Sequence, residues 1–230
     1  MTPATMTPSR QIRASFDEST ITVYQAYSAS IADPAVAAQR LTASPNFKTG
    51  RMTWIKPSWA WMLYRAGYSY KDPGQERILA LKMRHDDFVG LLRRGVLSSH
   101  ATPRRSLATA TPAAAHATTD VRIQWDPERT VRLERLPYRS IQIGIPASLS
   151  AHWAEECIVG IEDVTAKARE LKLLLDDQPD VDDQHLFARG LIPTELPYDV
   201  PADVRQALGM DIDASHASPG EQPAMEEKNS

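Results

Sequence analysis

The sequence predicts an α+β fold: a mixed or antiparallel sheet flanked by helices on separated segments. Runs of β-branched, aromatic and aliphatic residues, Ile21 to Tyr27 and Arg77 to Met83 among them, read as strands. They arrive in pairs or with single short helices between them, unlike the steady alternation of a doubly wound parallel fold. Residues 121 to 145 add two hairpin-like signals. A chain of 230 residues fits one domain. We place that domain at 10–210, after a Thr/Pro-rich stretch (1–9) that reads as disordered. An Ala/Thr/Ser/Pro-rich insertion at 98–119 and an acidic tail at 211–230 read the same way.

In chain order, Ile21 to Tyr27 puts Ile21, Val23, Gln25 and Tyr27 on one face and Thr22, Tyr24 and Ala26 on the other. A Gln between two Tyr is unusual for a wholly buried strand. Asp33-Pro34 is expected to open a helix through Leu41, with Asp as N-cap and Pro at the first turn. Arg51 to Ile55 is expected as a strand, and Pro57 then suits a helix start. Trp59, Met62, Leu63 and Ala66 share one helical face, and Gly67 can close the helix with positive φ. Arg77 to Met83 is apolar on both faces, which predicts a central strand. Asp86 or Asp87 can cap a helix that ends at Gly95.

Val121 to Trp125 and Thr130 to Leu136 are expected as strands around a turn at 126–129, with Pro137 as a break. Tyr138 to Ile145 alternates, with Ile141, Ile143 and Ile145 opposite Ser140, Gln142 and Gly144. Leu149 to Ile161 reads as helical, and Asp163 can cap a last long helix carrying Val164, Ala168, Leu171 and Leu175. Leu191 to Pro201 reads as extended chain lying over the body, and 202–210 as a short helix.

Composition excludes several classes. No run of about 18 apolar residues exists, so no membrane partner is expected. The start, MTPATMTPSR, lacks an apolar signal core. A single cysteine, Cys157, excludes an internal disulfide and a multi-Cys zinc site, and points to a reducing, cytoplasmic setting. The six His residues, His100 and His116 included, show no metal-ligand spacing, so no metal is expected. The net charge of −3 combines −10 over residues 176–230 with +7 over 1–175. A mildly basic body is compatible with a nucleotide or nucleic-acid partner, without the dense basic patch of a dedicated nucleic-acid binder. The dinucleotide, P-loop, zincin and nucleophile-elbow motifs are all absent.

The richest stretch is Arg51 to Met83, which holds three of the five Trp residues. Lys56 and Ser58 stand where a strand enters a helix N-terminus, a place where unpaired N–H groups attract anions. The alternative is that the Trp residues are core and Lys56 a surface cation. The small polar face of Ser140, Gln142 and Gly144 is either a site floor or plain solvent-facing strand.

The blocks RQIRASFDESTITVYQAYS, GRMTWIKPSWAWMLYRAGY, GQERILALKM, VRIQWDPER, LPYRSIQIGI and IEDVT resemble an uncharacterised family, domain of unknown function 4291, over 9–210. That resemblance implies no established activity. The segment WIKPSWAWMLYRAGYSYKDPGQERILAL is also similar in order and spacing to part of the DarT-type ADP-ribosyltransferases, which modify DNA. On that likeness Lys56 stands where those enzymes place a catalytic arginine. Met62, Leu63 and Tyr64 match their helix, and Gly74, Gln75 and Glu76 their pre-strand turn. Tyr138 to Ile143 matches the strand carrying their catalytic glutamate, where this sequence has Gln142. The resemblance implies an ADP-ribosyltransferase-like fold with NAD as cofactor and Lys56 and Gln142 as the catalytic pair. Cofactor contacts would come from Arg13, Tyr24, Gln25, Tyr27, Thr53, Ser58, Tyr64, Gln75 and Arg139. Gln142 could orient a ribose hydroxyl but not act as a base at neutral pH.

Three functions follow from these residues. An NAD-using transferase-like enzyme predicts Lys56, Gln75 and Gln142 on one cleft. A non-catalytic nucleotide or RNA-binding module predicts Arg10, Arg13, Arg51, Arg65 and Arg139 on one surface. A structural or interaction protein predicts aromatic core and no polar cleft.

Overall fold

The computed structural model of the chain describes residues 7–98 and 119–210. Most of 1–9, nearly all of the expected insertion with His100 and His116, and the tail at 211–230 lie outside them. The elements are β1 (Arg13–Ala14), β2 (Thr20–Tyr27), α1 (Ala29–Ala38), β3 (Thr53–Ile55), α2 (Trp59–Ala66), β4 (Arg77–Arg84), α3 (His85–Arg93) and β5 (Gly95–Leu97). After them come β6 (Val121–Arg129), β7 (Arg135–Ile145), α4 (Ala147–His152), β8 (Ile158–Asp163), α5 (Thr165–Asp177), α6 (Asp183–Ala188), β9 (Leu196–Pro197) and α7 (Ala202–Ala207).

The fold is α+β with mixed and antiparallel sheets. One sheet runs β2-β4-β8, all antiparallel; the other runs β3-β7-β6-β5, with β5 parallel to β6. A small ladder pairs β1 with β9, so the extended 191–201 segment does lie on the body. The two large sheets share a core, and one backbone bridge joins them among the described residues. Tyr24 and Lys56 exchange backbone hydrogen bonds, with Tyr24 N donating to Lys56 O at 2.6 Å and Lys56 N to Tyr24 O at 3.2 Å. Beyond that bridge β2 and β3 part company.

Why β4 is apolar on both faces is now evident. It is the central strand of its sheet, between β2 and β8. Leu79, Leu81 and Met83 pack into one core with Ile21, Val23, Phe88, Ile123, Ile143 and Trp153. Ile78 and Ala80 face a second core with Tyr24, Trp59, Leu63, Leu171 and Leu186, under α2 and α5. Full burial of one such side chain is worth about 1.5–3 kcal/mol, so these two cores hold the sheets in place.

Several local expectations are corrected. Helix α1 begins at Ala29 after Ser28, so Pro34 lies inside it and Asp33 is not its cap. An internal Pro normally costs a helix about 3 kcal/mol by freeing a carbonyl. Here the freed acceptor, Ser30 O, takes a 2.8 Å bond from the buried Ser44 hydroxyl. At the helix start, Glu76 Oε1 accepts from Ala29 N. Helix α3 starts at His85, with Asp86 and Asp87 inside its first turn rather than capping it. Strand β3 is shorter than expected, Thr53–Ile55.

The hairpin also differs. β6 continues through Pro127 to Arg129 and β7 passes through Pro137; the turn is at 130–134. A register shift between Pro127 and Arg129 accommodates the missing N–H, and Leu133 takes the positive φ of the turn. The expected helix over Leu149 to Ile161 is helix only to His152, then a π turn over Trp153–Cys157, then strand β8. Ile158 and Ile161 are buried while Val159 is half exposed. Three-residue spacing of apolar groups fits a helix as well as a twisted edge strand, so pattern alone misassigns it.

Candidate functional site

Where β2 and β3 diverge, the fold leaves a cleft of about 530 Å³. Its lining comes from β2 (Gln25, Ala26), the run 51–56 (Arg51, Met52, Thr53, Trp54, Lys56), α2 (Met62, Arg65), the turn before β4 (Asp72, Gly74, Gln75) and the hairpin (Gln124, Gln142). The set comprises three cations, four side-chain amides, one carboxylate and one indole.

Lys56 is the only lysine in that lining and is 4% exposed. Strand β3 delivers it, Pro57 ends the strand, and the Tyr24 bridge fixes its backbone. Its Nζ lies 4.7 Å from the centroid of the ring of Trp61, which stands in the first turn of α2. Among the described residues it makes no hydrogen bond or ion pair. Burial pushes the ammonium down to about 7, the Arg65 cation acts the same way, and Asp126 opposes them.

Gln142 faces Gln124 across the β6-β7 ladder. Its Nε2 donates to Asp126 and, at 3.4 Å, to Gln124 Oε1. A carboxylate can only accept, so this contact turns the amide nitrogen toward Asp126 and leaves Oε1 as the acceptor end. Gly144, two residues on, is where Trp54 crosses: a Cβ there would sit 2.9 Å from the indole ring. Gln25 and Thr53 tie β2 to β3 by reciprocal bonds of 2.9 and 3.1 Å. Gln75 donates to Asp72 at 3.1 Å. Asp72 also accepts from Gly74 N, and these bonds, the Gly74 N–H foremost, lower its carboxyl.

Of the residues expected to be catalytic or to contact the cofactor, Lys56, Gln142, Gln25, Thr53 and Gln75 line this one cleft. The others lie elsewhere. Tyr24 is buried against Trp59, ring centroids 5.2 Å apart, and Tyr27 is in the core against Phe47. Tyr64 is 38% exposed beneath the Arg129 guanidinium, 3.9 Å from its ring centroid. Arg139 donates to Trp125 O at 2.9 Å. Arg13 lines a second cavity of about 320 Å³ and donates to Glu195 O. The five arginines are divided: Arg51 and Arg65 line the cleft, Arg13 the second cavity and Arg10 a third, with Arg139 on the hairpin backbone.

The α2 N-terminus is filled by the protein itself. Ser58 accepts from Trp61 N at 3.0 Å and donates to Glu128 Oε1 at 2.9 Å, while Glu195 Oε1 accepts from Trp59 N at 2.6 Å. Trp59 N and Trp61 N are thus taken up by the protein, and Trp59 and Ala60 line the second cavity rather than the cleft. Burial pushes the Glu195 carboxyl up to about 8, opposed by the Trp59 N–H and reinforced by Glu128. Glu128 is raised by burial too. Asp72 and Gln124 in the cleft, and Glu128 and Glu195 behind it, were not picked out from the sequence. Gln124 was within reach, since the hairpin register sets it opposite Gln142; Glu195 sits in a Pro-rich segment with no periodic signal.

Among the described residues no group of three or more His, Cys, Asp or Glu could hold a metal ion, and no helix is long and apolar enough to cross a membrane. Fold and site together define an α+β protein with a polar, cationic cleft where two sheets diverge. The chain matches the family described as Domain of unknown function (DUF4291) over residues 11–198, and it belongs to that family. No curated protein matches it.

Proposed function

We propose that the cleft binds a phosphate-bearing dinucleotide, NAD, and that the protein is ADP-ribosyltransferase-like, acting on nucleic acid or a small molecule. The observation that carries this is the placement of Lys56, Gln75 and Gln142 on one cleft with Arg51 and Arg65. The donor set suits the ligand. Three cations meet a diphosphate, the Trp54 indole offers a stacking face, and the amides match ribose hydroxyls and a carboxamide. Lys56, buried and with no anion in ion-pair contact among the described residues, gains most from a phosphate oxygen. The Gln142 Oε1, turned away from Asp126, accepts from a ribose hydroxyl. Transfer breaks a glycosidic bond through a cationic, oxocarbenium-like state, so its demands on the protein are clamping and alignment.

A second reading, nucleotide binding without transfer, is favoured by one specific feature. Asp72 is the sole carboxylate lining the cleft; it is already bonded to Gly74 and Gln75, and Gln142 cannot take a proton. Thermal melting with NAD, ATP and short single-stranded RNA, on the native chain and Lys56→Ala, tests both. NAD at about 100 times its Kd adds roughly 2.7 kcal/mol. A shift with NAD that vanishes in the variant, together with nicotinamide release, supports transfer. The same shift without release supports binding alone, and no shift with NAD or ATP overturns both.

A further inference from the structure

Beyond nucleotide binding, we infer that Lys56 is a nucleophilic amine that forms an imine with an aldehyde or ketone bearing an anionic group. The inference uses the same cleft but does not depend on which nucleotide fills it.

The case rests on how differently this lysine is housed from three at the surface. Lys48 donates to Pro45 O, Lys82 pairs with Asp17 and Lys172 with Asp176, all at the surface. Lys56 is 4% exposed and lines the cleft, and among the described residues its amine has no hydrogen-bond or ion-pair partner. A buried ammonium with no anion is costly, so its surroundings favour the neutral amine. The indole of Trp61 covers one side. Of the charged groups around it, Arg65 on α2 repels the proton and Asp126 on β6 draws it. Burial and Arg65 prevail and bring the amine down to about 7. An amine held near neutrality by desolvation and a neighbouring cation is the arrangement that makes lysine reactive toward carbonyls. Arg51 and Arg65 line the same cleft and can hold the anionic end of such a compound.

The chemistry balances without a further reagent. The Nζ lone pair adds to the carbonyl carbon, and a proton moves from nitrogen to oxygen. The carbinolamine then loses water to leave the imine, which takes up a proton from solvent. Borohydride delivers hydride to the imine carbon and fixes the adduct as a secondary amine.

The test treats the full chain at about pH 7.5 with glyoxylate, a small anionic aldehyde, or pyridoxal 5′-phosphate, a larger one. Borohydride and site-resolved peptide mass mapping follow. Lys56 is expected to be modified about tenfold faster than Lys48, Lys82 or Lys172 by at least one probe, the net of more neutral amine and lower basicity. Inorganic diphosphate should slow that modification, and Lys56→Gln should lose it. Should the variant fail to fold, competition among lysines within the native chain decides alone. Modification of Lys56 at or below the surface rate with both probes overturns the inference. NAD binding without Lys56 modification removes this inference and leaves the dinucleotide reading; modification without NAD binding does the reverse.

Discussion

Two polar sites flank the start of α2, and they differ in what their groups are bonded to. On one side Ser58, Glu128 and Glu195 bond to one another's neighbourhood: a hydroxyl to a carboxylate, and carboxylates to the N–H groups of Arg129 and Trp59. On the other, three residues before Trp59, the Lys56 side chain is buried and its amine makes no hydrogen bond or ion pair among the described residues. The first site is bonded internally, with Trp59 and Glu195 also lining the second cavity. Removing a partner there leaves a buried acceptor or donor unsatisfied, which costs stability. The second places an amine on the cleft with no hydrogen-bond or ion-pair partner among the described residues.

The contrast can be broken most sharply from the internally bonded side. Ser58→Ala removes the α2 cap and a donor to Glu128, and should cost about 2 kcal/mol. For a domain of this size that lowers Tm by roughly 4–8 °C. Nucleotide affinity measured on the remaining folded protein should stay within about twofold, because the lost bonds face away from the cleft. Lys56→Met should do the opposite. An apolar side chain replaces a buried amine, so Tm is unchanged or raised, while NAD affinity falls about thirtyfold, or ~2 kcal/mol.

The two sites should also pull stability in opposite directions with pH. Glu195 is raised to about 8 from 4.5, so between those values the folded chain keeps a proton that the unfolded chain has released. Its contribution is full below about 4.5 and is lost as pH rises through 8. Lys56 is lowered to about 7 from 10.5, so in that window the unfolded chain holds the proton. Its contribution is present above about 10.5 and is lost as pH falls through 7. Chemical denaturation across pH should show the fall in stability as pH rises from 4.5 to about 8 missing in Glu195→Gln, and the rise from about 7 to 10.5 missing in Lys56→Met. Identical profiles for native and variant chains would contradict the assignment. The smallest expected effect is from Gly144→Ala, whose Cβ would meet the Trp54 ring at 2.9 Å. It should cost about 1 kcal/mol in a melt and displace the indole from its place on the hairpin.

Much of this organisation was legible in the chain. Alternation in Ile21 to Tyr27 and Tyr138 to Ile145, the double-faced apolar run of β4, and the Pro57–Gly67 punctuation of α2 fix those elements by local chemistry. What was not legible depended on partners distant in sequence. Pro34 reads as a helix start unless one knows that Ser44 will satisfy Ser30 O. Strand β8 follows a helix without a turn signal and is a strand because β4 pairs with it. In the site, Lys56, Gln75 and Gln142 could be named because each sits at an element boundary or on an unusual face. That Glu195, over a hundred residues away, would close the α2 N-terminus has no local signature. The expected anion site at that helix end thus gives way to the cleft beside it.

The most direct test is a calorimetric titration of NAD into the native chain and Lys56→Met at about pH 6.5, where the Lys56 amine is mostly charged. The account predicts saturable one-to-one binding to the native chain, weakened about thirtyfold in a variant that melts no lower. Equal affinity in the two chains, or no heat in either, would contradict a cleft built around Lys56.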